Sequence, residues 1–162
     1  MSHGTTRAPG RPGARLATVL LAALAVMVLL TGCVTQQGGT TGKLGRAAAE
    51  VESSLTSAEL GLDQERAGLT LPGAVDTLLE NMLKDVNKAA AKMGKLSPKT
   101  TTERDQQRRA LELAGEAEQA LATARANLQL PGTAPGTSAA SDIEQLAKLA
   151  DTIGHATEGW SR

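Results

Sequence analysis

The 162-residue chain holds one cysteine, Cys33, at the end of the run Leu30-Thr31-Gly32-Cys33. A thiol is a strong nucleophile. One thiol alone makes neither an intrachain disulfide nor a cysteine-based metal site. The other residues that could do chemistry are few. His155 stands three residues before Glu158, close enough to share a helix face. One histidine and one carboxylate do not make a metal site, and a di-iron bundle needs Glu-x-x-His on two helices with further glutamates. No Cys-x-x-Cys-His haem motif, no Gly-x-Ser-x-Gly and no phosphate-binding glycine loop occurs. Glu112, Glu116 and Glu118 form an acidic cluster near Gly115. Paired carboxylates can do acid–base work, but on a solvated helix they mostly meet water. The sequence therefore predicts no catalytic residue, no cofactor, no metal and no enzyme activity, with His155 as a surface or helix-end residue.

The context of Cys33 is more informative. Leu16 to Leu30 is apolar apart from Thr18, and Arg7, Arg11 and Arg15 precede it with no acidic residue. A positive stretch, a short apolar stretch and then small residues is the plan of a secretory signal. The arginines orient it by staying on the cytoplasmic side. A transmembrane anchor would want about 20 apolar residues. The apolar run falls short of that, and Thr35-Gln36-Gln37 follow soon after.

Leu30-Thr31-Gly32-Cys33 resembles the lipobox of bacterial lipoproteins: Leu, a small residue, Gly or Ala, then Cys. The resemblance covers residues 1 to about 35. It implies that the Cys33 thiol receives a diacylglycerol unit and that a peptidase cuts between Gly32 and Cys33. Residues 1–32 would be the signal peptide, and Cys33 the first residue of a chain on the extracytoplasmic face of the cell membrane. One acyl chain binds a bilayer marginally, whereas two hold it. On this reading Cys33 is an anchor rather than a catalyst.

Cleavage would leave fourteen basic and seventeen acidic residues, a net charge of about −3. That is not the balance of a nucleic-acid-binding protein. Phe and Tyr are absent and Trp160 is the only aromatic residue, so there is little to stack bases or sugars on. The abundance of alanine, glycine and arginine points to a high-GC genome, and the chain resembles small lipoproteins of actinobacteria in this respect.

Residues 33–42, the cysteine and the polar, glycine-rich stretch after it, read as an anchored flexible tether. From 43 to 162 four apolar seams follow at helical spacing. They are Leu44, Ala48, Val51, Leu55, Ala58 and Leu62, with Leu69 in register; Val75, Leu79, Met82, Val86, Ala89, Met93 and Leu96; Ala110, Ala114, Ala117, Leu121, Ala124 and Leu128; and Ile143, Leu146, Ala150, Ile153, Thr157 and Trp160. Leu71-Pro72-Gly73, Ser97-Pro98 and Leu130-Pro131-Gly132 separate them. The seams predict helices over about 43–69, 72–96, 99–130 and 141–160. Thr100 with Glu103, and Ser141 with Glu144, fit capping boxes.

The expected fold is all-α, an antiparallel four-helix bundle after a signal helix and a tether. The spacing is also that of coiled coils, which leaves a homodimer open. A core of Leu, Val, Met and Ala specifies packing less sharply than one with aromatic residues.

Lys84, Lys88, Lys92, Lys95 and Lys99 run down one flank of the second helix, and Arg104, Arg108 and Arg109 follow across the turn. In an antiparallel bundle this turn lies at the end nearest the tether, beside Lys43, Arg46 and Trp160. The expectation is that Lys92, Lys95, Lys99, Arg104, Arg108 and Trp160 contact an anionic membrane surface or wall polymer. Lysines near a helix C-terminus also suit its dipole on a merely solvated face. The function expected is that of a membrane-anchored interaction or scaffolding module of the cell envelope, whose partner is the membrane, an envelope protein or a wall polymer. The alternative is a lipoprotein holding an apolar or lipid-like ligand between its helices, for which methionine-containing seams are suited.

Overall fold

A computed structural model describes residues 39–130 and 137–160. It contains four helices: α1 (Thr40–Arg66), α2 (Pro72–Gly94), α3 (Thr101–Leu128) and α4 (Thr137–Trp160). No strand occurs among the described residues. The expected signal segment, Cys33 and most of the expected tether lie outside them.

Each seam is buried as its spacing demands. Leu44, Leu55, Leu62, Leu79, Val86, Leu121, Leu146 and Ile153 have at most 1 % of their surface exposed. Successive helices run antiparallel. Lys92 near the end of α2 reaches Glu50 near the start of α1, and Arg125 near the end of α3 reaches Asp76 at the start of α2. Asn127 at the end of α3 meets Asp142 near the start of α4. α1 touches all three other helices, whereas no α2–α4 contact occurs among the described residues. The bundle is therefore pinched along the α1–α3 diagonal. Alanines allow this: Ala110, Ala114, Ala117, Ala120 and Ala124 line the buried side of α3.

Helix ends follow local chemistry. Pro72 opens α2, where its missing N–H costs nothing. At the start of α3 the capping box is complete: the Glu103 N–H donates to Thr100 Oγ1 at 3.1 Å and the Thr100 N–H to Glu103 Oε2 at 3.1 Å. α1 closes on Gly68 at φ +70°, with the Leu69 N–H donating to the Gln64 carbonyl at 2.8 Å. Only glycine takes that conformation cheaply.

Several boundaries differ from expectation, and α3 spans Thr101–Leu128 rather than 99–130. α1 begins at Thr40 rather than residue 43, so Thr40–Gly42 belong to the helix and not to the tether. Leu69 does not extend the first seam, because the chain has already turned at Gly68 and leaves it 78 % exposed. α2 ends at Gly94, although Leu96 still packs on the core. Most consequentially, α4 begins at Thr137, so Ser141 to Glu144 lie inside it and form no cap. Asp142 instead occupies a buried position facing α3, where Asn127 Nδ2 donates to both carboxylate oxygens at 3.1 Å. A carboxylate with a hydrogen-bond donor is tolerated where a bare one would not be.

The burial pattern also exposes a repeat. Residues 58–73 and 117–132 are identical at nine of sixteen positions, ending in Leu69-Thr70-Leu71-Pro72-Gly73 and Leu128-Gln129-Leu130-Pro131-Gly132. At the same offset the buried residues coincide: Val51, Ser54, Leu55, Ala58, Gly61 and Leu62 in α1 match Ala110, Leu113, Ala114, Ala117, Ala120 and Leu121 in α3. The two helices that meet on the diagonal thus share one burial pattern from Val51 to Leu62 and from Ala110 to Leu121.

Candidate functional site

The antiparallel packing gathers the charges into two unlike ends. At one end lie the start of α1, the end of α2, the start of α3 and the end of α4, so Lys43, Arg46, Lys92, Lys95, Lys99, Arg104, Arg108 and Trp160 share it. Gln107 ties its turn together: Nε2 donates to the carbonyls of Met93 (2.7 Å) and Leu96 (3.0 Å). One carbonyl in the last turn of α2 and one just beyond it are thereby satisfied by a side chain from α3. Trp160 is half-buried against the core rather than projecting freely.

The predicted basic residues are not equivalent. Lys92 Nζ pairs with Glu50 at 2.6 Å and Arg108 with Asp105 at 2.9 Å. Higher on the same flank, Lys84 pairs with Glu80 and Lys88 with Asp85. Arg104 folds back to the Thr100 carbonyl at 3.3 Å. Lys43, Arg46, Lys95 and Lys99 have no carboxylate partner within ion-pair distance among the described residues, and all four are exposed. Exposed ion pairs contribute little, so a phosphate can displace them at small cost.

The residues considered for catalysis are not brought together. His155 Nδ1 lies 3.8 Å from Glu158 Oε2, and both are exposed. Glu112 and Glu116 face Arg109, at 3.5 and 3.9 Å. Among the described residues no group of three or more His, Cys, Asp or Glu is placed to hold a metal.

Between α1 and α2 runs an open groove of about 660 Å³, bordered by Arg46, Ser53, Ser57, Met82, Lys88 and Lys92. It exists because this side of α1 carries serines where leucines would fill the space. Ser54 and Ser57 donate to the carbonyls of Glu50 and Ser53 at 3.0 and 2.8 Å, so those hydroxyl protons are already used within the helix.

The opposite end is acidic. There Arg125 bridges Asp76 (2.8 Å) and Glu80 (3.1 Å), and Gln129 Nε2 donates to Asp76 at 2.7 Å. Hydrogen bonds from Arg125, then from Gln129, hold the Asp76 carboxyl below its ordinary range. Glu80 is lowered chiefly by the hydrogen bond from Lys84, with Arg125 adding to it. A carboxyl depressed in the folded state stabilises the fold above its unfolded pKa of about 3.9, and that stabilisation is lost as pH falls through the folded value. Acid unfolding of the wild-type chain should therefore be steeper below about pH 4 than that of Asp76→Asn. Equal slopes, measured by urea denaturation at stepped pH, would show that the Arg125 clasp does not couple to folding.

Sequence reasoning placed the basic end and missed three things: this clasp, the seam position of Asp142 and the repeated sequence. The repeat could have been found by sliding the chain over itself. Among the described residues no helix is long and apolar enough to cross a membrane. Comparison with known proteins gives no match to any family model, curated protein or solved structure.

Proposed function

We propose that this protein is a lipid-anchored component of a bacterial cell envelope, held by a diacylated Cys33, whose helical bundle works by contact rather than by catalysis. The observation that carries the reading is the run Leu30-Thr31-Gly32-Cys33 after an arginine-bearing start and an apolar stretch. The fold is consistent with it. α1 begins only seven residues after Cys33, so the start of α1 is close in sequence to the anchored residue. The end of the bundle nearest the bilayer is then the one bearing Lys43, Arg46, Lys95 and Lys99. Anionic lipid attracts such residues by about 1 kcal/mol each near the surface. The near-complete burial of the seam residues supports a role in contact over one in holding an apolar ligand.

The test is intact mass and membrane fractionation of the chain expressed in a bacterial host. Wild type should be membrane-bound, begin at Cys33 and carry the diacylglycerol mass. Cys33→Ala should lack that mass and that cleavage. After enzymatic removal of the acyl chains, the mature protein should bind anionic vesicles at low salt and release at high salt. A wild-type chain that retains residues 1–32, or carries no lipid, overturns the anchor.

A further inference from the structure

Four large aliphatic side chains at the acidic end are left in solvent: Leu60, Leu69, Leu71 and Leu130 are 59, 78, 75 and 56 % exposed. A single exposed leucine is ordinary. These are not independent accidents. Leu71 and Leu130 hold the same place in the two Leu-x-Leu-Pro-Gly sequences, whereas the residue between the leucines differs, Thr70 in one and Gln129 in the other. A hydrophobic residue beside a helix start commonly folds onto the first turn, but Leu71, at the start of α2, is 75 % exposed and does not.

The surroundings say what would cover them. Leu60 and Ile143 floor a shallow hollow of about 400 Å³ between α1 and α4, bordered by Glu59 and Asp63. The two arginines at this end are already engaged, Arg66 with Asp63 and Arg125 with Asp76 and Glu80. Glu59, Glu65 and Glu144 have no ion-pair partner among the described residues. An anionic bilayer is repelled by such a surface. A second copy meeting it end to end brings carboxylates against carboxylates. Copies anchored side by side, on the reading proposed above, all point the same way, so a neighbour's basic end does not face it.

We propose that the acidic end is a docking surface for a cationic amphipathic helix of another envelope protein. Its apolar face would lie on Leu60, Leu69, Leu71 and Leu130, with lysines or arginines toward Glu59, Glu65 and Glu144. Apolar anchors supply the affinity, and the flanking charge selects the partner and its orientation.

The probe is a labelled helical peptide of leucine and lysine with its leucines on one face, titrated onto the acylated chain in phosphatidylcholine vesicles. Empty vesicles serve as blank, and a peptide with glutamate in place of lysine serves as control. The lysine peptide should bind saturably. Leu69→Ser, Leu71→Ser and Leu130→Ser combined should weaken it at least about tenfold, and Glu59→Gln with Glu65→Gln several-fold. Lys95→Gln with Lys99→Gln, at the other end, should leave it unchanged. The leucines and lysines are solvent-facing and Glu59 and Glu65 partly so, and circular dichroism checks that the variants keep their helices.

Binding indifferent to the leucines, or equal binding of the glutamate peptide, overturns the proposal. So does self-association of the chain that the leucine substitutions abolish. The titration on Cys33→Ala should give the same affinity. Failure of docking therefore reads out separately from failure of anchoring, which shows in the mass.

Discussion

Leu121→Ala should lower the stability of the bundle by about 2–5 kcal/mol, through lost burial and the cavity left behind. Leu121 is fully buried and lies on the α3 seam among alanines, Ala117, Ala120 and Ala124. Those neighbours have no longer side chains with which to fill the space. A domain of this size has only about 5–15 kcal/mol in total, so the variant should sit near the edge of folding at physiological temperature. Urea denaturation followed by circular dichroism measures it. A loss under about 1 kcal/mol would mean that the helices collapse onto the hole, and hence that the alanine seam is softer than its burial suggests.

Ala117→Leu should also destabilise, by about 1–3 kcal/mol, although it adds apolar surface to an apolar position. Two effects compete. Three further carbons, if buried without strain, would gain on the order of 2 kcal/mol. Ala117 has no exposed surface, and it lies on the helix that meets α1 across the pinched diagonal. The added atoms must push α1 and α3 apart, which disturbs every residue that depends on the close approach. Overpacking wins because the neighbours are helices rather than flexible tips. A raised melting temperature would show slack along the diagonal and contradict the close packing described for α3.

The same contrast explains what was legible beforehand. Burial needs only period and residue type, so the seams from Leu44 to Ile153 could be read from spacing. The Thr100–Glu103 box could also be read, because its partners are three residues apart. The start of α4 could not. Ser141 and Asp142 have the chemistry of a cap, but whether they act as one depends on what Asn127 of another helix offers. The basic end was foreseen as a set of residues, since antiparallel order alone places it. Its division into paired and unpaired cations was not. Lys92 finds Glu50 across forty-two residues, and that requires the crossing geometry of α1 and α2. The repeat is hidden for a different reason: periodicity within each helix carries no comparison of one helix with another.

The matched burial of Val51 to Leu62 in α1 and Ala110 to Leu121 in α3 raises the question of which partner each helix accepts. A second copy offers α1 and α2 the same α3 and α4 surface as their own chain does. The segment between α2 and α3 is the hinge about which such an exchange between chains would open. Gln107 closes that hinge, with one side chain bonded to the carbonyls of both Met93 and Leu96. Its amide thus ties the start of α3 to the end of α2 within one chain.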